Sequence, residues 1–156
     1  MSAIVERATP PAPTGLRATF TGRYNAVPSA VPGGETHINL SGSARIPSLG
    51  NARIAGTLAS NPSLPPSSTN TNGVLTLVAR RAGGNVVTVV SGPTADLTST
   101  KPTTTQLNYT VVAAPPRLAS MIGTQGVATL SLKPRLRNLP VGSTVTGQFT
   151  LRVTQS

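Results

Sequence analysis

Apolar and polar residues alternate along short stretches of the chain, and turn-forming residues bound each stretch. Leu16, Ala18 and Phe20 share one face of "LRATFTGRY", while Ile38 and Leu40 share one face of "ETHINLSGSA". A period of two is that of a β-strand with one buried and one solvated face. Eight stretches have this strand character: 16–24, 35–44, 52–59, 73–80, 85–92, 105–113, 126–133 and 144–153.

The connections between these stretches favour an antiparallel arrangement. "RAGGN" is typical of a tight hairpin, with Gly83 and Gly84 at positive φ. Residues 60–72, 93–104 and 134–143 are long, polar and rich in turn formers, so we expect them to be loops.

Glycines also recur inside the predicted strands, at Gly22, Gly42, Gly56 and Gly147. In a flat sheet each would weaken its strand, whereas in a coiled or closed sheet they allow sharp bends. The sequence therefore predicts an all-β fold, a single antiparallel barrel of about eight strands. A β-sandwich or jelly roll is the alternative.

The chain of 156 residues is long enough for one domain with one core. We expect a proline-rich N-terminal arm over residues 1–15, which contain "TPPAPTG", and a barrel domain over residues 16–156. With two Phe, two Tyr and no Trp, the core has to be built from aliphatic side chains.

The absence of cysteine excludes disulfides and thiolate chemistry. No apolar run reaches the length of a membrane-spanning helix, and "MSAIVERATPPAP" lacks the pattern of a secretory signal. These features do not determine the cellular compartment. We expect a bacterial protein of the cell surface or the extracellular space.

Positive charge is the strongest feature of the composition. Thirteen Lys and Arg face three Asp and Glu, which gives a net charge of +10. Glu6, Glu35 and Asp96 could each hold one cation, and ten would remain without an internal partner. Such a balance favours solubility and association with polyanions.

The alternation predicts where these cations lie. If the aliphatic residues of each strand face inward, the intervening arginines face solvent, as the cost of burying an unpaired guanidinium requires. Arg81 lies beside the predicted hairpin turn. The arginines that we expect to contact an anion or a partner are Arg80, Arg81, Arg17, Arg23, Arg53 and Arg152.

The chain offers little catalytic chemistry. His37 is the only histidine and lies two residues from Glu35, so both side chains share one face of a predicted strand. Three carboxylates are too few for a metal site or an acid–base pair without using nearly all of them. No phosphate-binding loop, dinucleotide fingerprint or nucleophile elbow is present. We therefore expect no enzyme, no metal and no cofactor.

The segment "YTVVAAPPRLASMIGTQGVATLSLKP" (109–134), followed by "GQFTLRV" (147–153), resembles small secreted bacterial β-barrel proteins with a GTGxFxGAxGxG-type hairpin. The dirigent and allene oxide cyclase barrels of plants are similar. In this chain "AAPPR" (113–117) stands where that pattern has Gly-Thr-Gly, and "ASMIG" (119–123) replaces "AGATG". The resemblance implies an eight-stranded barrel and transfers no catalytic residue.

Three functions fit these observations. The first is a non-enzymatic structural or interaction protein with a basic exterior, a subunit of a surface or particle assembly that contacts its own copies or an acidic partner. The second is a barrel that binds a small apolar ligand in its cavity. The third is a module that binds a polyanion, either nucleic acid or an envelope polymer.

Overall fold

The computed structural model describes residues 18–29, 34–46, 50–61, 65, 69–79, 83–95, 97–135 and 143–155. Eight strands form within these residues, and each overlaps one of the predicted stretches. Their bounds are β1 Ala18–Val27, β2 Thr36–Ile46, β3 Gly50–Ser60, β4 Thr71–Ala79, β5 Gly84–Gly92, β6 Thr103–Ala113, β7 Gln125–Pro134 and β8 Val145–Gln155.

The strands form a closed barrel in which every strand pairs with its sequence neighbours and β1 pairs with β8. All eight pairings are antiparallel. At the closing seam the partners run from Ala18↔Val153 to Ala26↔Val145. The predicted antiparallel barrel is confirmed, and the sandwich alternative is not the fold. Several strands outrun their predicted ends because pairing with a neighbour continues into the turn residues.

Alternation assigns each strand residue to the interior or to solvent. On β1, Phe20, Tyr24 and Ala26 are buried, while Thr19 and Arg23 between them are exposed. The other strands repeat the pattern, so one core of Leu, Val, Ile and Ala fills the barrel together with the four aromatic rings. Burial of this aliphatic surface is the main favourable contribution to the stability of the fold.

Strand glycines make room for the aromatic rings. Gly126 pairs with Tyr109, and a Cβ atom built on Gly126 would lie 2.6 Å from Cε2 of that ring. The Phe149 ring pairs with Gly22 and reaches over to Gly42 on the next strand, where an added Cβ atom would lie 2.7 Å from its Cζ atom. A large ring over a glycine thus packs as densely as two medium side chains, which is a known device in curved sheets.

The two ends of the barrel differ in the length of their connections. At one end, residues 47–49, residues 80–83 and the longer segment 114–124 join the strands. At the opposite end four connections of eight to ten residues join the strands: residues 28–35, 61–70, 93–102 and 135–144.

The segment after β5 closes the end with the longer connections. Ala95 and Leu97 are buried in the core cluster. Thr71 donates a hydrogen bond to the Pro93 carbonyl over 2.6 Å and is hydrogen-bonded to the Ser60 hydroxyl over 2.8 Å. The Ser60 hydroxyl also accepts from the Ala95 backbone N–H. These buried polar groups form hydrogen bonds with one another, so the segment packs on the barrel without leaving these donors unpaired.

The connection between β6 and β7 closes the other end. It contains a 3₁₀ helix, Pro116–Met121, in which Met121 is buried. Gly123, at φ 90°, lets the chain turn back, and its N–H donates to the Val111 carbonyl. Both ends of the barrel are thereby covered by the chain itself.

The β4–β5 hairpin is present, with Ala79 paired to Gly84. Its turn differs from the prediction at one residue. Gly83 has φ 74°, whereas Gly84 does not take a positive φ and begins β5. An added Cβ atom on Gly84 would lie 3.0 Å from Pro115, so close approach rather than φ favours glycine there. The predicted arm, residues 1–15, lies outside the described residues.

Replacement of Gly126 by alanine is expected to destabilise the protein by about 1–3 kcal/mol, since the new methyl group meets the Tyr109 ring and the backbone of β8. Urea unfolding followed by circular dichroism measures the loss. The matched control is Gly83→Asn. Nothing lies within 4 Å of an added Cβ atom there, and asparagine tolerates positive φ. Equal losses in the two variants would contradict the packing described for Gly126.

Candidate functional site: the outer wall of the barrel

The barrel interior has little free space. The cavity among its side chains measures about 20 Å³, and its lining includes Phe20, Leu75 and Tyr109. That volume holds about one water molecule, whereas pockets for small ligands measure roughly 300–1,000 Å³. The interior in this conformation has no room for the apolar ligand of the second expectation, which stays a prediction without a cavity to support it.

Two tyrosines carry the only hydroxyl-bearing rings, and both are 2% exposed. The hydroxyl groups of Tyr24 and Tyr109 have no hydrogen-bond partner within the described residues. Desolvation by burial raises the pKa of both phenols above its usual value. Both rings belong to the buried core cluster.

The histidine and carboxylate singled out by the sequence lie at the surface. Glu35 precedes β2 and His37 is its second residue, and both are exposed. The described residues contain no group of three or more His, Asp or Glu side chains that could hold a metal ion. Nor does any helix among them have the length and apolarity needed to cross a membrane.

The predicted contact arginines divide into two sets. Arg23, Arg53 and Arg152 are exposed on the outer face of β1, β3 and β8, as the alternation predicts. Arg17, Arg80 and Arg81 lie outside the described residues.

Within the described strands, the charged side chains lie on one side of the barrel. Five neighbouring strands, β7, β8, β1, β2 and β3, each carry one exposed cation. We call these residues the basic wall: Lys133, Arg152, Arg23, Arg45 and Arg53. Glu35 is the only carboxylate side chain in the described part of the chain, so little negative charge opposes the wall.

A row of hydroxyl side chains crosses the basic wall. Strand register places five Ser and Thr residues side by side on consecutive strands, all on the outer face. We call this set the hydroxyl row: Ser43, Thr21, Thr150, Ser131 and Thr104. The Thr104 and Ser131 hydroxyls are 3.3 Å apart and share a hydrogen bond. At the other end of the row, Arg53 pairs with Ser43.

The remaining strands, β4, β5 and β6, carry no charged residue. Their outer face combines valines with uncharged Asn, Gln, Ser and Thr residues, and Val74 pairs with Val89 across the hairpin. A register shift between Val87 and Thr88 leaves Val112 as an extra residue on β6, 47% exposed. We call this surface the valine wall: Val74, Val78, Val87, Val89 and Val112.

Sequence reasoning did not select Lys133, Arg45 or the hydroxyl row. Lys133 and Arg45 follow the same alternation as the selected arginines, so their outward position could have been read from the chain. Which residues lie side by side depends on register between strands, and only the folded barrel supplies it. The division into a basic and a valine wall also depends on strand order around the barrel.

The raised pKa of the two phenols predicts how the protein responds to alkali. Stability from the neutral phenols is fully present below the unfolded-state pKa of about 10 and is lost as pH rises through the folded-state pKa. In a pH titration, tyrosinate ultraviolet absorbance should therefore appear only together with loss of the β-sheet circular dichroism signal. The chain has no Trp to obscure this absorbance. Ionisation of either tyrosine in the folded protein near its ordinary pKa would show that burial is incomplete, and Tyr24→Phe assigns the signal.

Comparison with known proteins gives no match to this chain, whether with protein-family models, with curated proteins or with solved structures. The resemblance to dirigent-like barrels thus stays a prediction, and the candidate site is defined by the geometry of the outer wall.

Proposed function

We propose that this protein is a non-enzymatic interaction protein whose copies associate through the valine wall, as subunits of a larger assembly. The observation that carries the proposal is the division of the exterior. The cavity among the described core residues is small, so we place binding on the outer wall, where three adjacent strands carry exposed valines and no charged residue.

Electrostatics favours the valine wall as the contact between copies. A chain with a net charge of +10 repels a second copy wherever two basic surfaces approach. β4, β5 and β6 are the described strands without a charged residue, so copies meet there with the least repulsion. Exposed valines on both copies then become buried, and the two basic walls point away from each other.

The size of the valine wall sets the strength of this association. Three strands of nine to eleven residues cover about 14 Å by about 30 Å. That is less than the roughly 800 Å² per partner of a standard interface. We expect weak association, with a dissociation constant of about 10–100 µM. Assembly then requires high local concentration or screening of the repulsion by salt.

Sedimentation velocity over a range of protein concentrations tests the proposal. The mean mass should rise with concentration, and it should rise further as NaCl increases from about 0.05 to about 0.5 M, because salt screens repulsion between copies. Val89→Glu places a charge in the valine wall and should keep the protein monomeric. Thr146→Glu adds the same charge at an exposed position of β8 and should behave as the wild type.

A protein that stays monomeric at every concentration and salt would contradict self-association. Equal association of the wild type and Val89→Glu would place the contact elsewhere on the surface. Circular dichroism confirms in parallel that each variant is folded.

A further inference from the structure

We infer that the hydroxyl row, with the cations that flank it, is a binding site for an extended anionic polysaccharide. The site lies mainly on the basic wall and reaches β6 only at the start of that strand. It does not depend on association between copies.

The row has the shape of a track for a linear polymer. Neighbouring strands are about 4.8 Å apart, so the four hydroxyl residues on adjacent strands that share the groove, Thr21, Thr150, Ser131 and Thr104, span about 14 Å around the barrel. A groove of about 620 Å³ follows much of this path, with Thr21, Thr150 and Ser131 in its lining. Pro102 and Thr103, at the start of β6, contribute at one edge.

Cations lie on both sides of the row. Gln148 lies two residues before Thr150 on β8, on the same outer face. It pairs with Arg23 on one neighbouring strand and with Lys133 on the other, so these two cations are about 10 Å apart. One pleat to the other side, Arg152 lies between Thr19 and Thr129. A negatively charged chain on the row would thus meet a cation at intervals along both edges.

No described carboxylate competes for these cations. Arg23 pairs with Ser41 of β2. Glu35 lies six residues before Ser41, which corresponds to roughly 20 Å along the strand direction. The Debye length at physiological salt is about 8 Å, so Glu35 has little effect at the row. The positive potential of the groove is therefore available to a ligand.

The side chains of the site select among anionic and sugar ligands. Neutral sugars and unstacked bases both bind on exposed aromatic rings. All four aromatic side chains of this protein are in the buried core. A ligand must then be held by charge and hydrogen bonds. Hydroxyl and amide groups between the cations can pair with sugar hydroxyls between sulfate or carboxylate groups, whereas duplex DNA has no free sugar hydroxyls along its backbone.

Binding of fluorescein-labelled heparin, used as the probe for sulfated glycans, tests the site in the full-length protein. Arg23→Gln/Lys133→Gln should weaken binding about tenfold or more, because it removes two charge-assisted contacts in the groove. Arg117→Gln/Arg135→Gln removes the same charge from exposed positions outside the groove lining and away from the hydroxyl row, and should weaken binding about threefold or less. Thr21→Val/Thr150→Val leaves the charge unchanged and should weaken binding about fivefold, without altering its dependence on NaCl.

Equal losses in the two double charge variants would overturn the site, since binding would then follow net charge alone. Unchanged affinity of Thr21→Val/Thr150→Val would remove the role of the hydroxyl row. Duplex DNA of matched charge that binds as tightly as heparin would overturn the assignment to a polysaccharide. Failure of heparin to bind at low salt would overturn it altogether. None of these four outcomes tests self-association, which the sedimentation behaviour of the wild type tests separately.

Discussion

Closure of eight strands into one barrel is the constraint on which the rest of the molecule depends. A closed sheet has no free edge, and its interior has a fixed volume that inward side chains must fill. With few aromatic residues available, leucine and valine fill most of it, and glycines beneath Tyr109 and Phe149 admit the rings. With Leu97 and Met121 buried in the core, the cavity among the described core side chains measures about 20 Å³, less than a small ligand needs.

The filled interior leaves the exterior to interact with other molecules, and strand order divides that exterior. Five adjacent strands carry cations and three carry valines. These surfaces respond to salt in opposite directions, because salt screens repulsion between copies and also weakens contacts with anions. A protein of this design would bind an anionic polymer through one side and gather further copies through the other.

Much of this fold could be predicted from the sequence, because each strand carries its own period-two pattern. Residues such as Phe20, Leu107 and Leu151 are interior in the barrel for the same reason that they alternate with Thr, Asn and Arg along the chain. Arg23, Arg53 and Arg152 are exposed for that reason too. The hydroxyl row could not be predicted, since Thr21, Thr150 and Ser131 come together only through register between strands that are distant in sequence. The conformation of Gly84 was mispredicted because Pro115, thirty-one residues away, determines what fits there.

Native mass spectrometry of freshly purified protein, washed at high salt to remove anions from the exterior, tests most directly whether the barrel is filled by its own side chains. A filled interior predicts the mass of the bare chain of 156 residues and its simple multiples. A non-covalent adduct of small-molecule mass that survives the salt wash and leaves only on unfolding would contradict it, since such a molecule could be held only inside the barrel.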